Sequence, residues 1–399
     1  MPEPKIVHIL GGGQWQVPTI RLAKDLGYRV LVTDMYHERP GYAYADEHVV
    51  ADITNKETTL AIAERNHIDA IICDTTDVGV PTMAYVAEKL GLPGIGYETA
   101  LNFTNKYRMR SITSAAALPN PRFHLAYDAQ TLRSAAADLG FPLVVKPVDS
   151  QSSRGVHIVR MPDMLTDAYE DAVRFSLLKQ AIVEEFLAGT EVTVESYCID
   201  GECFVAGISD KDHFAHRPEV ASRLTYPADF PEHVLTRIRD VNSRVVRALG
   251  LVTGIAHAEY MVVNSEVYLV EIAARGAGSY VYTLIAPYLA GVPIPRLYLE
   301  FILGIPQHAR PDGVRRAANL GFFSVPPGKV TKILGVEEAR RLPGVAEILL
   351  EFAVGDELQL PQDDRSRPGL VVVFGKTRSE VLECTQQVFR TVQVQTNDR

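Results

Sequence analysis

One predicted β-hairpin constrains the fold more than any other stretch, because two apolar, strand-forming runs flank a short turn at residues 264–266. A three-residue loop there would pair Val263 with Val267 and place Glu259 opposite Glu271. Directly opposed residues share a sheet face, with Cβ atoms roughly 5 Å apart. Two carboxylates that close repel unless a cation or a proton lies between them. The hairpin therefore predicts a divalent-metal site, and a salt-bridged or solvent-facing pair is the alternative.

Length and charge limit the remaining possibilities. A chain of 399 residues is too long for one compact core, so two or three domains are expected. The net charge of −9 argues against nucleic acid or an anionic membrane as the main partner. The four cysteines lack zinc-type spacing. Cys198 and Cys203 flank a predicted turn and could be cross-strand neighbours, for which plain strand packing in a reducing compartment is expected. The apolar stretch 280–305 is broken by prolines and charges, which favours a buried helix with a following loop over a membrane span. A cytoplasmic location is expected.

Residues 5–100 alternate strand and helix patterns, which predicts a parallel sheet with right-handed crossovers. A glycine run follows the first strand, and Asp34 ends the second, as in dinucleotide-binding folds. Gln16 stands where that fingerprint needs a third small residue. A tight turn with a small-ligand pocket is therefore favoured over a nicotinamide site.

From about residue 101 the pattern changes to α+β with antiparallel hairpins. The predicted strands are 143–146, 157–160, 181–184 and 192–199, followed beyond residue 305 by 317–325, 346–352 and 370–375. The predicted domains are 1–100, 101–305 with a lid at about 117–190, and 306–399.

Two segments offer groups suited to a nucleotide. A buried-looking strand ends at Lys146, and the loop 149–156 after it supplies backbone N–H groups, hydroxyls and an arginine for a polyphosphate. Within that loop the candidates are Ser152, Ser153, Gly155 and Val156. The strand carrying Glu184, Glu185, Phe186 and Leu187 then runs into an extended linker. It would place backbone groups at a purine edge and leave Glu191 for ribose hydroxyls, although a strand ending in a charged turn is equally compatible.

The order of these features carries more weight than any one of them. Lys106, Lys146, the serine-rich loop, the glutamate-rich hinge and the paired glutamates follow one another along the chain. In this order the chain resembles the ATP-grasp superfamily, specifically carboxylate–amine ligases of the L-amino acid ligase kind and their carbamoyl phosphate synthetase-like relatives. The resemblance implies a Rossmann-like pre-ATP-grasp domain, an ATP-grasp domain and a carboxy-terminal domain like that of biotin carboxylase. A homodimer is also implied.

The resemblance implies roles for individual residues. Lys106 and Lys146 would contact ATP phosphates, the segment 184–187 would form the hinge, and Glu191 would bind ribose. Glu259 and Glu271 would hold two Mg²⁺ ions, with Mn²⁺ as a substitute, and Arg275 would face the transferred phosphate. Many members have Asn two residues after the second metal glutamate, where this chain has Ala273.

Substrate contacts are expected around the paired glutamates. The N–H groups of Gly276, Gly278 and Ser279 precede a helical run and would bind an anionic carboxylate, with a tight turn as the alternative. His213, His216 and Arg217 belong to a polar segment that the resemblance places near the substrate, although a solvated loop is the simpler interpretation of each. His257 should share the strand face of Glu259 and orient a ligand or lie satisfied in the core.

The expected activity is therefore ATP-dependent amide formation between a carboxylate and an amine through an acyl phosphate, with amino acids as substrates. Two alternatives stand beside it. One is bicarbonate or carbamate activation, as in carboxylases, and the other is nucleotide binding without turnover.

Overall fold

An amino-terminal α/β unit begins the computed structural model, which describes residues 3–151 and 153–397. Its elements are β1 Ile6–Leu10, α1 Val17–Asp25, β2 Arg29–Asp34, β3 Glu47–Val50, α2 Lys56–Arg65, β4 Ala70–Ile72 and α3 Val80–Leu90. The strands form a parallel sheet in the order β3-β2-β1-β4. The crossover helices leave the carboxyl ends of β1, β2 and β4 open at one edge, where ligands bind in open α/β sheets.

A small antiparallel sheet follows, preceded by two helices. These elements are α4 Tyr97–Thr104, α5 Lys106–Ala115, β5 Phe123–Ala126, α6 Ala129–Leu139, β6 Leu143–Pro147, β7 His157–Val159, α7 Leu165–Phe175 and β8 Ala181–Glu185. The sheet order is β5-β8-β6-β7, and its buried face packs against α6 and α7. Asn105 caps α5 by accepting from the backbone N–H of Arg108, which fixes where the helix begins.

A long antiparallel sheet carries the predicted hairpin. Its first part comprises β9 Thr190–Ile199, β10 Glu202–Phe214, β11 Arg217–Tyr226, β12 Gly254–Val263 and β13 Glu266–Ala273, with α8 Glu232–Leu249 between β11 and β12. The buried side of α8 packs on the sheet through Ile238, Val241 and Val245. This packing supports the strands that carry the paired glutamates.

The remaining elements extend that sheet and add a short one. They are α9 Ala286–Ala290, α10 Ile294–Ile302, β14 Ala317–Phe322, β15 Gly328–Leu334, α11 Val336–Ala339, β16 Val345–Leu350, β17 Glu357–Leu358, β18 Gly369–Gly375, α12 Arg378–Thr391 and β19 Gln393–Asn397. The eight-stranded sheet runs β13-β12-β9-β10-β11-β14-β18-β16, and β17-β15-β19 form a three-stranded one. The mixed α/β and α+β architecture agrees with the predicted fold class.

The hairpin register agrees with the prediction by a different route. Glu259 lies opposite Glu271, but Val263 pairs with Glu266 rather than with Val267. The turn is a two-residue turn in which Asn264 and Ser265 both have positive φ. A β-bulge between the Glu259 and Tyr260 pairs restores the register, because it leaves one residue of β13 unpaired.

Two further predictions about local structure need correction. The polar segment expected as a loop is mostly strand, since His213 lies in β10 and Arg217 begins β11. The stretch 280–305 is not one helix but a π-helical turn, Val281–Ile285, followed by α9 and α10. Among the described residues, no helix is long and apolar enough to cross a membrane.

Candidate active site

A single large cavity collects most of the predicted residues. Its volume is about 1380 Å³, more than the 300–1,000 Å³ of common ligand pockets, so it can hold a nucleotide and further substrates. Its walls come from the small antiparallel sheet, the long sheet, the open edge of the parallel sheet and the segment before β18. The predicted residues in the lining are Lys106, Lys146, Ser153, Val156, Glu184, Glu185, Phe186, Leu187, Glu191, His213, His257, Glu259, Glu271, Arg275, Gly278 and Ser279.

Some candidates lie elsewhere. His216 Nε2 lies 3.0 Å from the carbonyl oxygen of Pro361, and Arg217 pairs with Glu219 at 3.5 Å, so neither belongs to the cavity lining. The backbone N–H of Gly276 donates to the carbonyl of Asp74 at 2.7 Å, which contradicts its expected role as an anion donor. Gly155 packs against Phe175 behind the lining. Ser152 lies outside the described residues.

The paired glutamates are each held by a lysine. Lys106 Nζ lies 2.6 Å from Glu271 Oε1, and Lys211 Nζ lies 2.8 Å from Glu259 Oε1. Burial alone would raise the pKa of Glu259, but Lys211 and His257 outweigh it and hold that pKa well below its usual value. Each glutamate of the pair is thus salt-bridged, as in the alternative interpretation of the hairpin.

Lys211 also pairs with Glu191, the carboxylate predicted to bind the ribose hydroxyls. Its Nζ lies 2.5 Å from Glu191 Oε1, and His213 Nε2 lies 3.0 Å from the other carboxylate oxygen of Glu191. Burial alone would lower the pKa of Lys211, but Glu191 and Glu259 outweigh burial and raise it above its usual value. Lys211 therefore stays charged and links Glu191 to Glu259, the residues predicted to bind ribose and metal.

The strand-end lysine is part of a buried cluster. Lys146 Nζ lies 2.7 Å from Glu184 Oε2, and Arg110 Nε donates to Glu184 Oε1 at 2.8 Å. Burial, opposed by Glu184 and aided by Arg110 and Lys106, lowers the pKa of Lys146. Both carboxylate oxygens of Glu184 are therefore paired with cations.

The predicted phosphate-facing arginine is fixed from the amino-terminal unit. Asp77 accepts from Arg275 Nε at 2.6 Å and from Nη2 at 3.0 Å, a bidentate pair that joins residues 198 positions apart. Burial alone would raise the pKa of Asp77, but Arg275 outweighs it and lowers that pKa. The guanidinium is thus oriented before any ligand arrives.

His257 shares the face of Glu259, as predicted. Its Nδ1 lies 2.9 Å from Glu195 Oε1, and its Nε2 lies 3.9 Å from Glu259 Oε1. Burial opposes the charged imidazole, but the Glu195 carboxylate outweighs burial and raises the pKa of His257 to about 9. The side chain is therefore a satisfied, positively charged neighbour of the glutamate pair.

The cavity includes residues that the sequence did not single out for it. Lys211, Asp77, Arg367 and Trp15 all line it. The Trp15 ring meets Tyr280 edge to face with centroids 5.4 Å apart. An acidic or basic residue that follows a buried strand, as Asp77 follows β4, is the only sequence signal that could have flagged any of them.

The donor set fits Mg²⁺ brought in by a nucleotide. Within residues 3–151 and 153–397, no three His, Cys, Asp or Glu side chains form a group that could hold a metal ion. Two facing carboxylates supply hard oxygen ligands but leave most coordination positions to other donors. Mg²⁺ is commonly bound in this way, by one or two carboxylates together with substrate phosphates and water.

Two protein-family models match the chain. The model described as "ATP-grasp domain" matches residues 139–283, and that described as "L-amino acid ligase C-terminal domain 2" matches residues 321–397. The first covers β6, β7 and β8 of the small sheet, the hinge and the hairpin, and the second covers the carboxy-terminal strands.

Curated relatives and solved structures agree with these matches. A formate-dependent phosphoribosylglycinamide formyltransferase of Parasynechococcus marenigrum (strain WH8102) is 30% identical over 313 residues, covering 76% of this chain and 78% of the relative. One from Synechococcus sp. (strain CC9902) is 29% identical over 98% of this chain and 97% of the relative. The structure of an L-amino acid ligase from Bacillus licheniformis superposes with a TM-score of 0.85 at 23% identity over the whole of both chains. An N5-carboxyaminoimidazole ribonucleotide synthetase from Thermotoga maritima gives 0.74 at 22% identity, over 98% of this chain and all of that one.

Proposed function

This chain belongs to the ATP-grasp family of ATP-dependent enzymes that form C–N bonds, and we propose that it joins a carboxylate to an amine through an acyl phosphate. The observation that carries the proposal is the convergence of Glu259, Glu271 and Arg275 with two lysines, Lys106 and Lys146, in one cavity. Facing carboxylates beside fixed cations are what a polyphosphate with its metal requires.

The chemistry explains why ATP is needed. A carboxylate carbon is a poor electrophile, so its oxygen first attacks the γ-phosphorus of ATP and releases ADP. The amine nitrogen then attacks the acyl carbon, inorganic phosphate leaves, and the nitrogen loses a proton. The site must therefore bind three ligands close together, which is compatible with a cavity of about 1380 Å³.

The residues divide this work by charge. Lys106 and Lys146 would bind phosphate oxygens, and Arg275 would neutralise charge on the transferred group and orient the acid. Glu259 and Glu271 would hold Mg²⁺, in one or two ions and with Mn²⁺ as a substitute. When bound, the metal would supply positive charge that offsets the negative charge of the phosphate oxygens.

The nucleotide would lie between the two antiparallel sheets. Phe186, Leu187 and Met261 line the cavity near the hinge and offer apolar contacts to a purine. Ser153 lies in the loop after β6 and would cover the phosphates. Closure of the small antiparallel sheet over the cavity would keep water from the acyl phosphate.

Features at the far end of the cavity support an amino acid as one substrate. The Arg367 guanidinium lies 3.6 Å from the Phe322 ring centroid, and within the described residues its buried Nε has no hydrogen-bond partner. Such a group can bind a substrate carboxylate, and Trp15 offers an apolar wall for a side chain. The match to the L-amino acid ligase carboxy-terminal domain over residues 321–397 also favours amino acids.

Formate is a second candidate acid. The two curated relatives described above are formate-dependent phosphoribosylglycinamide formyltransferases, and formate would pass through the same phosphorylation step as any other carboxylate. Bicarbonate, as in the carboxylase alternative, would do likewise. The buried Arg367 would then bind a phosphate rather than a carboxylate of the amine substrate.

A matrix of acids and amines tests the proposal. Phosphate release from Mg-ATP is measured with amino acids, formate or bicarbonate as acids, each with and without amino acids or phosphoribosylglycinamide as amines. We expect release that requires both partners and a coupled product identified by mass spectrometry, with two amino acids as the productive pair. Release with formate and phosphoribosylglycinamide would move the assignment to formyl transfer. Release with bicarbonate alone would contradict amide formation.

The assembly is tested separately. A homodimer is proposed from the resemblance alone, and light scattering of the purified chain would show whether its mass is twice 44.0 kDa.

A further inference from the structure

Arg110 is buried beneath the cavity and does not line it. Its side chain has no exposed surface, so its charge must be balanced by close partners. Its Nε donates to Glu184 at 2.8 Å, and its Nη2 donates to the carbonyl oxygen of Val270 at 2.6 Å. Both partners belong to strands that carry predicted ATP or metal residues.

The first contact sets the net charge of the buried cluster that contains Lys146. Glu184 accepts one cation on each oxygen, Arg110 on Oε1 and Lys146 on Oε2 at 2.7 Å. Two cations and one carboxylate leave the cluster with a net charge of +1. Without the arginine, the carboxylate would neutralise the lysine alone, and less positive potential would face a phosphate.

The second contact lies at the β-bulge. Glu259 pairs with Glu271 and Tyr260 pairs with Leu269, so Val270 is the unpaired residue of the hairpin. Its carbonyl accepts from Arg110 and lies 3.4 Å from Lys146 Nζ. The bulge is what returns Glu271 to the face of Glu259, so the arginine fixes the point on which the register depends.

One helix turn combines these contacts. Lys106 and Arg110 are four residues apart on α5 and therefore share a helix face. Lys106 binds the Glu271 carboxylate at 2.6 Å while Arg110 binds the carbonyl of the preceding residue. The helix thus holds two successive residues of β13.

We propose that Arg110 is a positioning residue that keeps Lys146 available for phosphate and holds Glu271 in register for the metal, without touching either ligand. The inference rests on the ATP and metal site of the proposed function. It does not depend on which acid or amine is used.

Two substitutions separate the two contacts. Arg110→Met removes the charge and both hydrogen bonds, whereas Arg110→Lys keeps a cation for Glu184 but lacks the fork that also reaches Val270. Binding of ADP is measured by calorimetry over a series of Mg²⁺ concentrations, which needs no turnover. Phosphate release is measured in parallel, and circular dichroism confirms that each variant is folded at the assay temperature.

Arg110→Met is expected to weaken ADP binding and to raise the Mg²⁺ concentration that gives half-maximal binding. Each effect should be about 10- to 100-fold, the range seen when a supporting partner of a metal ligand is lost. Arg110→Lys is expected to restore nucleotide affinity to within a few-fold at saturating Mg²⁺ but to keep the raised Mg²⁺ requirement. This split would not arise from general loosening of the core.

A matched control removes an arginine from the other end of the hairpin. Arg237 on α8 pairs with Glu266 at the turn, in a solvent-exposed salt bridge, so Arg237→Met should leave ADP binding and the Mg²⁺ requirement as in the wild type. Wild-type Mg²⁺ dependence in folded Arg110→Met would overturn the inference. Equal recovery of nucleotide and Mg²⁺ binding in Arg110→Lys would overturn the bulge contact. If Arg110→Met does not fold, Arg110→Lys alone decides by the same split, and lack of turnover in the wild type would count against the proposed function only.

Discussion

Asp77→Asn tests how the amino-terminal unit contributes to the reaction. The Asp77 carboxylate accepts from two nitrogens of Arg275, at 2.6 and 3.0 Å, and both side chains are largely buried. Asparagine keeps the shape but has one acceptor oxygen and no charge, so at least one charge-assisted bond is lost. Such a bond contributes about 1.5–3 kcal/mol. If that contribution holds Arg275 in its reactive orientation, kcat falls about 10- to 100-fold, since about 1.4 kcal/mol corresponds to a factor of ten.

The assay is steady-state phosphate release, with kcat and the KM for ATP determined separately. We expect the loss mainly in kcat, because the hinge and lysine contacts to ATP are left in place. Asp46→Asn is the control, since Asp46 pairs with Lys24 at 2.5 Å on the same α/β unit but near its surface. Asp77→Asn is also made in an Arg275→Met background, where it should cost little more because both changes act on one interaction. An unchanged kcat, or additive losses in the double variant, would refute the reasoning.

Three further predictions each concern a single side chain or glycine. Glu271→Gln should lower phosphate release by roughly 100-fold or more, because the metal would lose a charged ligand worth several kcal/mol. The melting temperature should stay within a few degrees of the wild type. Metal-dependent turnover at the wild-type rate would show that Glu271 is not part of the site. Burial lowers the pKa of His8 from 6.5 to about 3, so the unfolded chain binds more protons between those values and stability falls as the pH drops, by up to about 1.4 kcal/mol per pH unit. Urea unfolding of His8→Leu should lack that part of the slope, and an identical pH dependence would contradict it. Gly276→Ala should destabilise the chain by about 1–3 kcal/mol, because the new Cβ would lie 2.2 Å from Tyr282 Cγ. Gly278→Ala is the control and should fold normally in the same thermal melts, since its Cβ would lie 3.3 Å from the nearest atom, Trp15 Cδ1.

The hairpin shows what a sequence can and cannot specify. Alternation decides which side chains of one strand share a face, but the turn and the bulge set the register between the two strands. The opposition of Glu259 and Glu271 was therefore predicted correctly only because two differences cancel. The loop length was predicted one residue too long, and the bulge at Val270 compensates for that difference. A bulge leaves no clear signature here, because Val270 is as suited to a regular strand as its neighbours.

The partners of the site residues were harder to predict than the site itself. Lysines, the hinge and the glutamates follow a recognisable order, so Lys106, Lys146 and Glu271 could be proposed from spacing and resemblance. Asp77 and Lys211 could not, because each meets its partner only after the chain has folded, across 198 residues in the case of Asp77 and Arg275. Polar segments such as 210–217 look like solvated loops, since a strand that lines a wet cavity carries the same polar residues.

The lysine–glutamate pairs have a consequence for the order in which ligands bind. Each carboxylate proposed to bind metal already has a cation, Lys106 for Glu271 and Lys211 for Glu259, so a free divalent ion would have to compete with an existing ion pair. Phosphate oxygens change that competition, because they attract the lysines and release the carboxylates. We therefore expect the enzyme without nucleotide to bind Mg²⁺ only weakly, and to bind it well once a nucleotide is present. The lysines would then pair with phosphate oxygens and the glutamates with the metal, so that no charge is left unpaired.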